Sequence, residues 1–184
     1  MTRRWSPVIL RRECTARTVP AGETVVLSEG GEVEVVQHLG RSITVRTQLG
    51  SLLRIDDDDA DAIGLVPPVD GDVEAAVDEG GLTAERVLDA LRGVYDPEIP
   101  VDVVELGLVY RCDVLAEDDG TRRVEIDMSM TAPGCGMGDV LADDAERIVA
   151  ALAGVDAVEV RLVFEPPWTV ERMSDAARLR LGML

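Results

Sequence analysis

The chain of 184 residues carries 36 acidic side chains against 18 basic ones, every basic residue an arginine, for a formal net charge of −18. Its length suits one ordinary domain, or a small domain joined to a medium one, and so acidic a surface repels nucleic acid and anionic membranes. With aromatics at 3%, the core has to be built from Val, Leu, Ile, Ala and Met.

No apolar run reaches the roughly eighteen residues of a membrane span, and MTRRWSPVIL has too short an apolar stretch for a secretory signal. The 3 cysteines, at 14, 112 and 135, form no close pair. An odd, sparse count fits a reducing cytoplasm better than a disulfide scaffold, and the expected compartment is cytoplasmic. Charge is unevenly spread: residues 1–55 sum to +3 and residues 56–184 to −21.

Residues 1–65 read as a small β-rich domain. Alternation runs through EVEVV, with Val33 and Val35 against Glu32 and Glu34, and through SITVR, with Ile43 and Val45 against Thr44 and Arg46. Gly30, Gly31, Gly40 and Gly50 punctuate at hairpin intervals. The expectation is a bent sheet or barrel of four or five short strands. His38, before a turn glycine and without partner ligands, reads as a surface turn residue, and Cys14 as a packed or edge cysteine. DDDDADAIG can form a short helix ending at Gly64; it lacks the spaced ligands of a calcium loop. Residues 66–82 are acidic, proline- and glycine-bearing, and read as an extended linker.

Residues 83–184 read as a compact α/β unit. Thr83 can cap a helix with Ala84, Val87, Leu88 and Leu91 on one face, ended near Gly93. DPEIP is irregular because both prolines exclude helix interior and sheet centre. LVYRCDVL alternates, turning Leu108, Tyr110, Cys112 and Val114 to one side, so Cys112 reads as a core residue. Asp119-Gly120 marks a hairpin, and VEIDMSM returns with Val124, Ile126, Met128 and Met130 inward. A helix is expected over 139–153, a strand with Val158, Val160, Leu162 and Phe164 inward, and a last helix over about 169–181. The fold class is α+β: a small mixed three-stranded sheet with packed helices in the order α-β-β-α-β-α, preceded by the small all-β domain. The first two strands should pair antiparallel, and the second and third, joined through a helix, parallel.

MTAPGCGMG, residues 130–138, falls between the second of these strands and the helix that follows. Connections of this kind present ligand-binding loops in α/β folds. Open N–H groups at a helix start favour a thiolate at Cys135, making it a nucleophile or metal ligand. The flanking glycines leave room for a close approach, and Thr131 can add a hydroxyl hydrogen bond. Residue chemistry leaves an incidental cysteine on a glycine-rich turn open as well. A phosphate loop lacks its lysine here, and a cysteine hydrolase lacks a base placed near the thiol.

Four ordered blocks, DPEIPVDVVELGLVY (96–110), MTAPGCGMGDVLADD (130–144), VEVRLVFEPPW (158–168) and MSDAARLRLGM (173–183), resemble the iron–sulfur cluster assembly domain of the SufT type. VPAGETVVL, VEVVQHLG and LLRIDDDDADAIG are similar to the extra β domain of SufT-type members. The resemblance implies help in maturing iron–sulfur proteins without a reaction of its own. The motif cysteine falls on Cys135, the acidic turn on Asp96, Pro97 and Glu98, and the threonine at the strand end on Thr131. Cys135 is then the expected metal ligand, backed by Thr131 and Glu98, for a transient iron–sulfur cluster or iron. One thiol cannot complete four-cysteine ligation, so other ligands have to come from another chain or a small thiol. The partners implied are iron–sulfur scaffold or carrier proteins, client apoproteins and a second copy of the chain as a homodimer, with no nucleic acid and no membrane. Two other readings stand beside this one: a dedicated accessory protein for one oxygenase or other client, and a cysteine-dependent redox enzyme.

Overall fold

The structure is a computed structural model and describes residues 7–66, 81–117, 119–132 and 136–183. The chain divides into two compact units, Met1–Asp72 with Pro97–Pro100, and Val73–Asp96 with Val101–Leu184.

The first unit is an antiparallel sheet of six strands: β1 (Pro7–Ile9), β2 (Cys14–Val19), β3 (Thr24–Leu27), β4 (Glu32–Leu39), β5 (Ser42–Thr47) and β6 (Leu52–Asp56). The spatial order is β1-β4-β5-β6-β2-β3. The alternation read in EVEVV and SITVR is the inward face: Val33, Val35, Ile43 and Val45 are buried with Leu53, Ile55 and Leu10. The expected four or five strands become six, because the three-residue edge strand PVI is too short to show a period. Cys14 is buried in this core. DDDDADAIG does close as a helix, but of the 3-10 kind, over Asp57–Ile63, stopped by Gly64 at φ +73°. Arg12 pins it from outside through Asp59 at 2.8 Å and through Asp61. His38 is not in a turn. It ends β4 half-buried, with its Nε2 3.5 Å from the carboxylate of Asp57.

The second unit is the expected helix–strand–strand–helix–strand–helix succession: α1 (Ala84–Leu91), β7 (Val109–Ala116), β8 (Arg122–Met128), α2 (Gly138–Ala150), β9 (Ala157–Leu162) and α3 (Asp175–Arg180). β7 and β8 pair antiparallel and β8 and β9 parallel. Thr83 Oγ1 accepts the Arg86 N–H and starts α1. Val87 and Leu91 of α1 and Val140, Leu141, Ala145 and Val149 of α2 are buried, as are Val124, Ile126 and Met128 of β8.

The other face of this sheet is a lattice of opposite charges. Arg111 reaches Asp113 at 2.6 Å and Glu125 at 2.7 Å, Arg161 reaches Asp127 at 2.9 Å, and Arg123 reaches Glu117 at 3.1 Å. Such cross-strand pairs set which residues stand opposite one another.

Two expectations need correction. Phe164 lies beyond the end of β9 and is exposed, because the strand pairs only as far as Leu162. The last helix is not continuous over 169–181. A 3-10 turn, Val170–Arg172, is followed by extended backbone at Met173, and α3 starts anew with Ser174 as its cap. Tertiary bonds override helix propensity here: Ser174 donates its backbone N–H to the Glu105 carbonyl at 2.9 Å and its hydroxyl to the Glu105 carboxylate.

Candidate functional site

The chain runs up β8 and down β7, and β9 runs parallel to β8. The start of β7, the end of β8 and the end of β9 therefore share one end of the second sheet. Glu105, Leu106 and Gly107 of the first sequence block meet Trp168, Arg172 and Ser174 there. Asp102 Oδ1 accepts the N–H groups of Val104 at 3.1 Å and Glu105 at 2.9 Å, which closes the turn before β7. Gly107 has φ +68°, and a Cβ there would collide with the Arg172 backbone carbonyl, so only glycine fits. Trp168 Nε1 donates to the Leu106 carbonyl at 2.8 Å. Arg172 Nε donates to the Gly107 carbonyl at 3.1 Å, with its guanidinium 3.6 Å from the centre of the Tyr110 ring. Arg92, at the end of α1, and Ser174, before α3, hold the Glu105 carboxylate from two sides, and these bonds keep it below the usual carboxylate range.

These residues were quoted in the motif blocks without a role. Their work is to strap the segment after β9 across the mouth of the β7–β8 hairpin. The glycine in ELGLVY was the readable signal, since a glycine directly before a strand asks for a backbone shape or an approach that other residues forbid.

Of the three candidate ligand residues, Thr131 follows β8 by three positions and is half-buried. Cys135 lies outside the described residues, as do Pro133 and Gly134. Glu98 is exposed and falls in Pro97–Pro100, which belongs to the first unit, where Thr44 Oγ1 donates to the Pro97 carbonyl at 3.2 Å. Thr131 and Glu98 thus lie in different units. Asp96 is buried, and its N–H bonds the Val101 carbonyl at 3.2 Å.

Met137 and Gly138 are buried at the start of α2, and the first helical hydrogen bond is Leu141 N–H to the Met137 carbonyl at 3.0 Å. Among the described residues no side chain caps this helix start, where helical N–H groups carry partial positive charge. Gly138 serves packing: a Cβ there would sit 3.1 Å from Leu162 Cδ1 and 3.5 Å from Met130 Cγ. The helix start is thereby seated on the ends of β8 and β9.

The other two thiols are not poised as ligands. Cys112 is half-buried with Sγ 3.9 Å from the Ala84 carbonyl, and burial, with Asp113 adding to it, pushes its thiol up to about 11. Burial, then Asp59, raises Cys14 as well. Among the described residues, no group of three or more His, Cys, Asp or Glu side chains could hold a metal ion.

Comparison with known proteins fits this geometry. Residues 84–161 match the family model of the iron–sulfur cluster assembly protein. The chain is 45% identical over 102 residues to an Fe-S protein maturation auxiliary factor of Porphyromonas gingivalis, a span covering 55% of this chain and 93% of the relative. It is 39% identical over 90 residues to the Fe-S protein maturation auxiliary factor SufT of Staphylococcus aureus, covering 49% of this chain and 98% of that protein. A solved structure of a conserved hypothetical protein from Thermotoga maritima is 44% identical, covers 55% of this chain and 95% of that one, and superposes with a TM-score of 0.45. The chain belongs to the iron–sulfur cluster assembly protein family, in its SufT-type branch.

Proposed function

We propose that this protein is a maturation factor for iron–sulfur proteins, acting without turnover of its own and handing iron or a cluster to client apoproteins through Cys135. The observation that carries the reading is the 45% identity over 102 residues to a protein named as such a factor. The chemistry supports it. A single thiol preceding a helix start is favoured as a thiolate, and because one thiol cannot complete four-cysteine ligation the cargo is held jointly with a partner. Thr131 and Glu98 are proposed to back the thiol, as the motif resemblance implies. A second copy of the chain, a scaffold or carrier protein, or the client itself completes the ligation. Among the described residues no helix is long and apolar enough to cross a membrane, and the work is assigned to the cytoplasm, where thiols stay reduced.

A deletion strain tests the reading. Activities of several iron–sulfur enzymes should fall together and recover with the native gene but not with Cys135→Ser, a nearly isosteric change. Recovery with the serine variant would remove the thiol from the mechanism. A fall in one enzyme alone would make the protein a dedicated accessory.

A further inference from the structure

The first unit holds a titratable pair that the proposed function does not use. Asp57 follows β6 and opens the 3-10 turn, with 2% of its side chain exposed. Among the described residues neither of its carboxylate oxygens takes a hydrogen bond. A buried carboxylate without a partner is costly, so it should be neutralised or removed. The facing group is His38, the chain's single histidine, whose Nε2 stands 3.5 Å from Oδ1 with 30% of its side chain exposed. Register puts them together: His38 pairs with Ile43, Ser42 pairs with Asp56, and the Asp57 N–H bonds the Arg41 carbonyl at 3.1 Å.

The remaining charges around Asp57 are accounted for. Arg41, in the turn between β4 and β5, points its guanidinium to the exposed Asp58 at 3.3 Å. Arg12, before β2, is engaged by Asp59 and Asp61 on the other side of the turn. Asp56, ending β6, pairs with the buried Arg54 at 3.2 Å.

We propose that His38 and Asp57 form a proton-operated latch holding the turn Asp57–Gly64 against the β4–β5 hairpin, closed while the pair carries a proton and loosened when that proton leaves. Burial pushes the Asp57 carboxyl up, while His38 and then Arg41 work against it. A carboxyl raised by burial favours the folded form at low pH and loses that contribution as pH rises through its folded value. The latch therefore loosens as pH rises through the folded value of Asp57.

Amide hydrogen exchange on the full chain tests this, corrected for intrinsic pH dependence, with the amides of β5 as internal reference. Between about pH 4 and pH 8, which brackets a carboxyl raised above its ordinary range, protection of amides 57–65 should fall by about tenfold in the native protein, which is the effect of one unit of proton linkage. Asp57→Asn should remove the slope and keep protection high throughout. His38→Gln should keep a slope and move it to higher pH, because the imidazole no longer opposes the rise of the Asp57 carboxyl. A flat native profile, a slope that survives in Asp57→Asn, or a His38→Gln profile that superposes on the native one overturns the latch; if Asp57→Asn fails to fold, the His38→Gln profile decides alone.

Discussion

The three cysteines share a side-chain chemistry and differ only in their surroundings, and that difference makes a chemical prediction. Cys112 sits under α1 with burial and Asp113 both opposing its thiolate. An ordinary thiol titrates near about 8.5, so at about pH 8 Cys112 in the native protein should react with iodoacetamide more than tenfold slower than a free thiol, and Cys14 slower as well. Cys135, expected to be activated, should be the one labelled. Mass spectrometry of the labelled chain reads all three at once; fast labelling of Cys112 would mean that α1 opens readily from β7. Strand alternation made Cys112 legible as inward-facing. The partner of His38 was not, because a buried acid nineteen positions away is invisible in sequence until register brings β6 beside β5. Thr131 and Cys135 were readable as a candidate site from one feature, a glycine-ringed cysteine between a strand and a helix. Glu105, by contrast, reveals its role only through its bonds to the distant Arg92 and Ser174.

At the level of elements, helices with a cap and a clean apolar face were readable, as Thr83 and the Val87–Leu91 stripe show. The last helix was not, because its apolar pattern continues through Met173 while Ser174 is pulled out of helical geometry by Glu105. That junction gives an acid-sensitive joint. Ser174 first, and Arg92 second, lower the Glu105 carboxyl in the folded protein. Its contribution is present above the unfolded value of about 4.3 and is lost as pH falls through the lower folded value. Glu105→Gln should therefore cost about 1 kcal/mol at neutral pH, the size of a partly exposed charge-assisted bond. The difference between variant and native protein should vanish toward about pH 3. Chemical denaturation followed across that range checks it; an equal gap at both ends would assign the loss to packing.

For the whole molecule, the family likeness and the two-unit division point the same way. Relatives little longer than the matched 102 residues correspond in length to the second unit alone. Residues 81–184 expressed separately should unfold cooperatively in denaturant, with a single transition seen by both far-ultraviolet and tryptophan signals, the latter from Trp168. A fragment without a transition would mean that the β unit completes its fold. The carboxyl-terminal strap adds a constraint in time. Trp168, Arg172 and Ser174 bond partners 62, 65 and 69 positions earlier in the chain. Contacts that span so much sequence form late, after the loop entropy between them has been overcome. On the ribosome, the hairpin and α2 can assemble while the strap is still in the exit tunnel, and the end of the sheet beside the motif cysteine stays uncovered until residue 174 emerges. Emergence of residue 174, not synthesis of the β7–β8 hairpin, thus sets the moment at which that end of the sheet is closed.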